Sequence, residues 1–210
     1  MIPLILRLKK ARHKEIAKAQ DLIVEELYTV FNNAVMHGGT AIWRCYKGNR
    51  FSEDIDVYLR KDNEKLNALF LNLEKRGFAI EKKKISENSL YSNLVLNGTA
   101  VRFEALFKRA DGMLKEYETA DGNLISIYTL SAEELIKEKT STYLKRLKVR
   151  DLYDIFFLLR YADKGKVRQD IKKLSGQFNK PLDEQELKVL ILEGLTPDVE
   201  KMIQYIKSFI

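Results

Sequence analysis

The sequence predicts an α+β protein, a mixed sheet with flanking helices followed by a C-terminal bundle of helices. Three observations lead there. Several short runs between residues 54 and 107 alternate apolar and polar residues, the period-two pattern of half-buried strands. Helical patterns at residues 9–33 and Asn63–Lys75 are interleaved with those runs. From Ser131 onward helical segments follow one another almost without interruption. The expected organisation is a sheet-containing domain over residues 1–130 and a helical domain over residues 131–210.

In residues 9–33, Ile16, Ala19, Leu22, Ile23, Leu27 and Val30 fall near helical spacing and define an apolar stripe suited to packing across a sheet. Ala34-Val35-Met36 reads as a short strand, Gly38-Gly39 as a tight link, and Thr40–Arg44 as the opening of a helix. A strand follows over Asp54–Arg60, then a helix over Asn63–Lys75 that Arg76-Gly77 ends in a C-cap pattern. Phe78–Ile85, Ser92–Asn97 and Ala100–Phe107 read as strands, with Asn97-Gly98 a strong hairpin turn between the last two. Met113–Tyr117 and Leu124–Tyr128 are two further short runs around Asp121-Gly122-Asn123. Ser131-Ala132-Glu133-Glu134 reads as a capping box opening a helix to about Leu147. Residues 151–162, 164–175, 183–193 and 197–209 complete the helical part, with Pro181 and Pro197 near two of the starts.

The chain has 210 residues, 45% apolar and 32% charged, enough for a substantial core and ordinary for a soluble globular protein. A single cysteine, Cys45, excludes an internal disulfide and a cysteine-based zinc site, and fits a reducing cytoplasm. No apolar run approaches a membrane span, and Met1–Leu6 is too short for a signal segment. The net charge of +7 fits either a polyanionic partner or simply a basic soluble protein.

Chemistry concentrates in residues 36–59. In Asp54-Ile55-Asp56-Val57, side chains two apart share a strand face, so both carboxylates point one way while Ile55 and Val57 enter the core. Two like charges so close call for a cation, and hard oxygen ligands suit magnesium carried with substrate phosphates. Gly38-Gly39, with Thr40 opening the next helix, lets backbone approach a ligand closely, and the free amides of that helix favour a triphosphate. Arg50 and Ser52 precede the acidic strand and either position a phosphate or the Asp54 carboxylate, or brace the loop. His37 reads as a packed histidine, and Lys82-Lys83-Lys84 as a solvated sheet edge or, alternatively, an RNA backbone contact.

The segment Gly38-Gly39-Thr40-Ala41 … Tyr46 … Arg50-Phe51-Ser52-Glu53-Asp54-Ile55-Asp56 resembles the first motif of the AbiEii/AbiGii-type nucleotidyltransferases. This family belongs to the DNA polymerase beta-like nucleotidyltransferase superfamily and is often found as toxins of toxin–antitoxin pairs. Downstream, Glu138-Lys139 … Arg146-Leu147-Lys148-Val149-Arg150-Asp151-Leu152-Tyr153-Asp154 is similar to the family's helical lysine motif and its Arg-Asp-x-x-Asp segment. The resemblance implies a nucleotidyltransferase-fold sheet and a cytoplasmic enzyme moving an NMP from an NTP to an acceptor, with RNA, especially a tRNA 3′ end, the expected acceptor. It also implies two magnesium ions, with manganese as a substitute, a cognate antitoxin as a partner, and no membrane.

In the superfamily three carboxylates hold the metals. Here they would be Asp54, Asp56 and, from a neighbouring strand, Glu104, which shares a face with Arg102 while Val101, Phe103 and Ala105 take the other. Glu104 otherwise reads as an exposed strand residue paired with Arg102. The resemblance assigns Lys139 to the nucleotide phosphates, although on its own it reads as a solvated helix lysine. Arg150, Asp151 and Asp154 complete the second motif. The two aspartates, three apart on a helix, either face the cleft together or are buried against Arg146 or Arg150 as a structural ion pair. Two rival readings remain: a kinase-like phosphoryl transferase on the same scaffold, and a nucleotide-binding module without turnover.

Overall fold

The structure is a computed structural model that describes residues 2–210; Met1, the first residue of the apolar opening run, lies outside the described residues. The chain divides into two compact units, one of residues up to Lys47 with Phe51–Leu130, the other of Gly48–Arg50 with Ser131–Ile210.

The first unit runs α1 (Leu4–Arg7), α2 (Ala11–Val30), β1 (Val35–His37), α3 (Gly38–Cys45), β2 (Ile55–Leu59), α4 (Asn63–Lys75), β3 (Ala79–Ile85), β4 (Ser89–Leu96), β5 (Thr99–Phe107), β6 (Met113–Glu118) and β7 (Leu124–Thr129). Its strands form one seven-stranded sheet in the order β3-β4-β5-β2-β1-β7-β6. The sheet is mixed: β2 pairs parallel with β5 and β1 parallel with β7, and the other neighbours are antiparallel. Register puts Met36, Ile55, Val57, Phe103, Ala105, Leu90, Leu94 and Ile127 on one face, and all are buried. α2 packs against β5, and α3 against β1, β2 and β6. Because side chains alternate across a strand, the same register sends His37, Asp56, Arg102 and Glu104 to the opposite face, where all four are half-buried.

Local signals explain the elements. Ile16, Ala19, Ile23 and Leu27 are buried along α2 as their spacing requires. Asp62 caps α4 by accepting from the Lys65 amide at 3.0 Å. Asn97 and Gly98 have φ of 49° and 76°, the left-handed pair of a two-residue hairpin whose twist matches its strands. β3 is an edge strand with Lys82, Lys83 and Lys84 all exposed, which blunts edge-to-edge pairing.

A buried polar node anchors α3. Arg44 is 1% exposed and pairs with Asp21 of α2. Asp21 also accepts from Tyr117 Oη at 3.0 Å and from the Ala120 amide at 2.7 Å. The Arg44 guanidinium lies over the Trp43 and Tyr117 rings at 4.8 and 4.7 Å. Burial works against its charge, but Tyr117 and Asp21 more than offset that and hold the group above its ordinary pKa. The helix that begins at Gly38 is thereby fixed at its far end.

The second unit holds α5 (Ala132–Arg146), α6 (Val149–Leu158), α7 (Lys164–Gly176), a 3-10 turn at Glu184–Glu186, α8 (Leu187–Leu190) and α9 (Val199–Lys207). The Ser131–Glu134 capping box opens α5, and Leu147, at φ 50°, turns the chain into α6. The helix expected over 183–193 is broken. After one turn Ile191 extends into an antiparallel bridge with Arg50, and the Leu192 amide donates to the Asn49 carbonyl at 3.0 Å. Among the described residues no helix is long and apolar enough to cross a membrane.

Candidate active site

Asp56 and Glu104 are direct register partners on the parallel strands β2 and β5, and His37 stands opposite Asp56 on β1. Three side chains of one face thus meet across three adjacent strands. Arg102, two residues before Glu104, turns into the same group: Nη2 pairs with Asp54, and Nε lies 2.9 Å from Glu104 Oε1. The second contact lacks hydrogen-bond alignment, so it is Coulombic. Burial, reinforced by Asp56 and Asp54 against the pull of Arg102, raises the Glu104 pKa. Arg102 is itself held above its ordinary value because the carboxylates overrule its partial burial. Among the described residues no group of three acids, histidines or cysteines is placed to hold a metal ion. Asp54, Asp56 and Glu104 are hard oxygen donors, the chemistry that suits a divalent cation keeping sites for substrate phosphates. His37 is packed face to face on Tyr58 at 3.9 Å.

The glycine turn touches this row. Gly38 has φ +71°, and a Cβ there would overlap the Asp56 carboxylate, whose Cγ lies 3.1 Å away. Only glycine allows both the left-handed backbone and that approach. The fully buried Thr40 donates its hydroxyl to the Asp54 carbonyl, tying the start of α3 to the start of the acidic strand. The Ser52 carbonyl accepts from Gln20 Nε2 at 3.0 Å, fixing the approach to Asp54 from α2. Gly38→Ala is expected to cost about 1–2 kcal/mol of stability through its left-handed backbone. By displacing the Asp56 carboxylate it should also lower turnover about 100-fold. Thermal unfolding and steady-state rates measured on the same preparation check both numbers.

The second group of sequence-identified residues lies in the helical unit. Lys139 on α5 is 8% exposed, and its ammonium bridges Asp151 at 3.2 Å and Asp154 at 2.7 Å on α6. Asp151 also receives Arg146 through Nε at 2.7 Å and Nη2 at 2.9 Å. Asp154 receives Arg50 in a two-pronged bond, 2.8 Å from both Nε and Nη2. Both aspartates are fully buried, and of their two expected arrangements the ion pair is the one observed, with Arg146, Lys139 and Arg50 as partners. Arg150, by contrast, is half-buried at the start of α6. Arg50 is 5% exposed, and its bond to Asp154 braces the Gly48–Arg50 loop. Burial opposes the Asp154 charge, yet Arg50 and Lys139 together hold its pKa below the ordinary carboxylate value.

Residues 22–209 match the family described as nucleotidyl transferase AbiEii toxin, Type IV TA system. The chain belongs to this family. It is therefore a nucleotidyltransferase, and the family's members are toxins of toxin–antitoxin systems. Among solved structures, this AbiEii protein is similar to JHP933 from Helicobacter pylori, with 17% identity, a TM-score of 0.64, and coverage of 95% of this chain and 90% of that one. A putative nucleotidyltransferase from H. pylori gives 18% identity, a TM-score of 0.64, and coverage of 95% and 93%. The antibiotic-resistance factor ANT(2'')-Ia gives 13% identity and a TM-score of 0.51 over 77% of this chain and 92% of that one. At these identities the likeness is one of fold. No curated protein matches the chain.

Sequence reading missed three supports of the AbiEii site. Gln20 and Asp21 sit on the buried side of α2, where a polar residue needs a partner, and that misplacement was the available signal. In the sequence Arg102 reads only as a neighbour of Glu104. Its reach to Asp54 depends on the parallel pairing of β2 with β5, which local sequence does not encode.

Proposed function

We propose that this AbiEii protein transfers a nucleotidyl group from an NTP to RNA, with a tRNA 3′ end as the favoured acceptor, in a magnesium-dependent reaction. The observation that carries the reading is the register of Asp56 beside Glu104, with the Gly38 turn pressed against the Asp56 carboxylate. Asp54, Asp56 and Glu104 would hold two magnesium ions, or manganese in their place. Bound there, the ions supply activation of the attacking hydroxyl and neutralisation of charge on the leaving pyrophosphate. The amides at the start of α3, from Gly38 through Thr40, would receive the triphosphate. The acceptor hydroxyl oxygen then bonds to the α-phosphorus as the bond to the bridging oxygen breaks. Pyrophosphate leaves with that oxygen, and the hydroxyl proton passes to water or a neighbouring carboxylate.

The net charge of +7 supports a polyanionic acceptor. The family's toxin role extends to this chain, acting in the cytoplasm on NTP and RNA and opposed by a cognate antitoxin. For Lys139 the contacts support a structural duty, neutralising Asp151 and Asp154.

The deciding experiment incubates the protein with magnesium, total cellular RNA and each NTP labelled in turn at the α-phosphate. The expected result is label in RNA from one preferred NTP. Label transferred only from the γ-phosphate would replace the reading with phosphoryl transfer. Label in protein would replace the acceptor, and NTP binding with no product over hours would reduce the function to a binding module.

A further inference from the structure

A cleft of about 280 Å³ opens in the sheet-containing unit beside the acidic row, lined by Tyr58, Arg60, Lys108, Arg109 and Tyr128 among others. It neighbours the site along β2, although none of His37, Asp54, Asp56 and Glu104 lines it. Tyr58 follows Asp56 by two residues on β2 and occupies the same face, so the cleft begins roughly 6.6 Å further along the strand. A stack joins the two: His37 lies on Tyr58 at 3.9 Å, and Lys108 Nζ sits over the Tyr58 ring at 3.9 Å. Gly112 closes the loop against the sheet, where a Cβ would meet Val35 at 2.9 Å and Tyr128 at 3.0 Å.

The charge of the cleft is unspent. Arg60, Lys108 and Arg109 are exposed, and among the described residues none of them pairs with a carboxylate. Asp111 also lines the cleft, so three positive charges and one negative leave +2. Cations beside an exposed aromatic ring, Tyr128, are the chemistry of a single-stranded nucleic acid, whose phosphates and bases need one of each. The volume lies just under the roughly 300–1,000 Å³ of pockets that enclose whole small ligands, which suits one nucleotide of a longer strand.

Position decides between the acceptor and the NTP. Along β2, the Gly38–Thr40 turn and Asp54 stand at one end, Asp56 in the middle, and Tyr58 and Arg60 at the other. In phosphoryl chemistry the attacking and leaving oxygens lie roughly in line on opposite sides of the phosphorus. With the leaving pyrophosphate on the glycine turn, the attacking hydroxyl approaches from the Tyr58 side. The geometry points to this cleft as the acceptor subsite. It takes the 3′-terminal segment of a single-stranded RNA, with Arg60, Lys108 and Arg109 on its phosphates and the exposed Tyr128 ring beside a base. The inference rests on the nucleotidyl-transfer reading above.

The test is binding of a fluorescein-labelled single-stranded oligoribonucleotide to the full chain, without NTP or metal, followed by fluorescence anisotropy. Arg60→Ala with Arg109→Ala should weaken binding about tenfold and reduce the slope of log affinity against log salt by about 1.4, the loss of two phosphate contacts. NTP affinity should stay within about twofold. Lys82→Ala with Lys83→Ala removes equal charge from the β3 edge and should change RNA affinity by less than about twofold. Equal losses from both pairs would mean a general basic field and overturn the subsite. So would no binding by the wild type, or weakened NTP affinity in the arginine variant. Label transfer to protein that falls in the arginine variant while RNA binding does not would assign the cleft to a protein acceptor instead. Because this binding needs no turnover, a failed transfer assay with binding still localised to Arg60 and Arg109 refutes the reaction, whereas intact transfer with unlocalised binding refutes the subsite.

Discussion

Asp56→Asn is expected to lower nucleotidyl transfer about 1,000-fold or more while leaving the fold intact. A carboxylate that holds the catalytic cations supplies several kcal/mol of transition-state stabilisation, and each 1.36 kcal/mol is a factor of ten. Asparagine keeps the shape and the contact with Gly38 but removes the charge that attracts the cations. Stability should change little, because Asp56 is half-buried and its repulsion from Glu104 opposes its attraction to Arg102. The melting temperature should therefore stay close to that of the wild type. Single-turnover rates with α-labelled NTP and thermal unfolding of the same sample separate the two effects. Full activity in the variant would sink the assignment of the acidic row, and lost activity with a collapsed melting temperature would make Asp56 a structural residue.

Where an interaction is written locally, the sequence reveals it. Alternation alone places Asp54 and Asp56 on one face, the Asn97-Gly98 pair specifies its hairpin, and Ser131 with Glu134 specifies the start of α5. Gly38-Gly39 marks a close approach, and the Asp56 carboxylate is what it approaches. Interactions between distant segments carry no such mark. Arg50 and Asp154 are 104 positions apart, so a loop arginine and a helix aspartate each look solvated until the chain is folded. The same pairing explains the broken helix: Leu187 and Leu190 keep helical spacing, but Ile191 gains a strand-like bridge to Arg50 that periodicity cannot anticipate. α1 is only four residues long, too short for periodicity to register. The resemblance to AbiEii proteins singles out Lys139, Asp151 and Asp154, while their mutual ion pairing follows from the packing of α5 on α6.

That packing sets the second large effect, a loss of stability in Asp154→Asn. Asp154 is fully buried between the Arg50 guanidinium and the Lys139 ammonium, themselves nearly buried. Removing the negative charge strands positive charge where water does not reach, at a cost of about 3–5 kcal/mol. Lys139→Ala should cost less, because Asp154 keeps Arg50 and Asp151 keeps Arg146. Replacing both partners with apolar residues, Arg50→Met with Asp154→Leu, should recover much of the loss, since the expense lies in an unpaired buried charge rather than in the absence of the pair. The pH dependence follows from the depressed pKa of Asp154. A carboxyl group held lower in the folded than in the unfolded chain stabilises fully above its unfolded value, and that contribution disappears as pH falls through the folded value. Wild-type stability should therefore decline below about pH 4, and the Asp154→Asn variant should show a shallower decline over the same range. Denaturant midpoints for the helical content between about pH 3 and pH 7 measure both curves. Parallel curves would mean that Arg50 and Lys139 are no more strongly tied to Asp154 than solvated side chains would be. Converging curves at low pH would identify the cluster of Arg50, Lys139 and Asp154 as the element that holds the Gly48–Arg50 loop to α5 and α6.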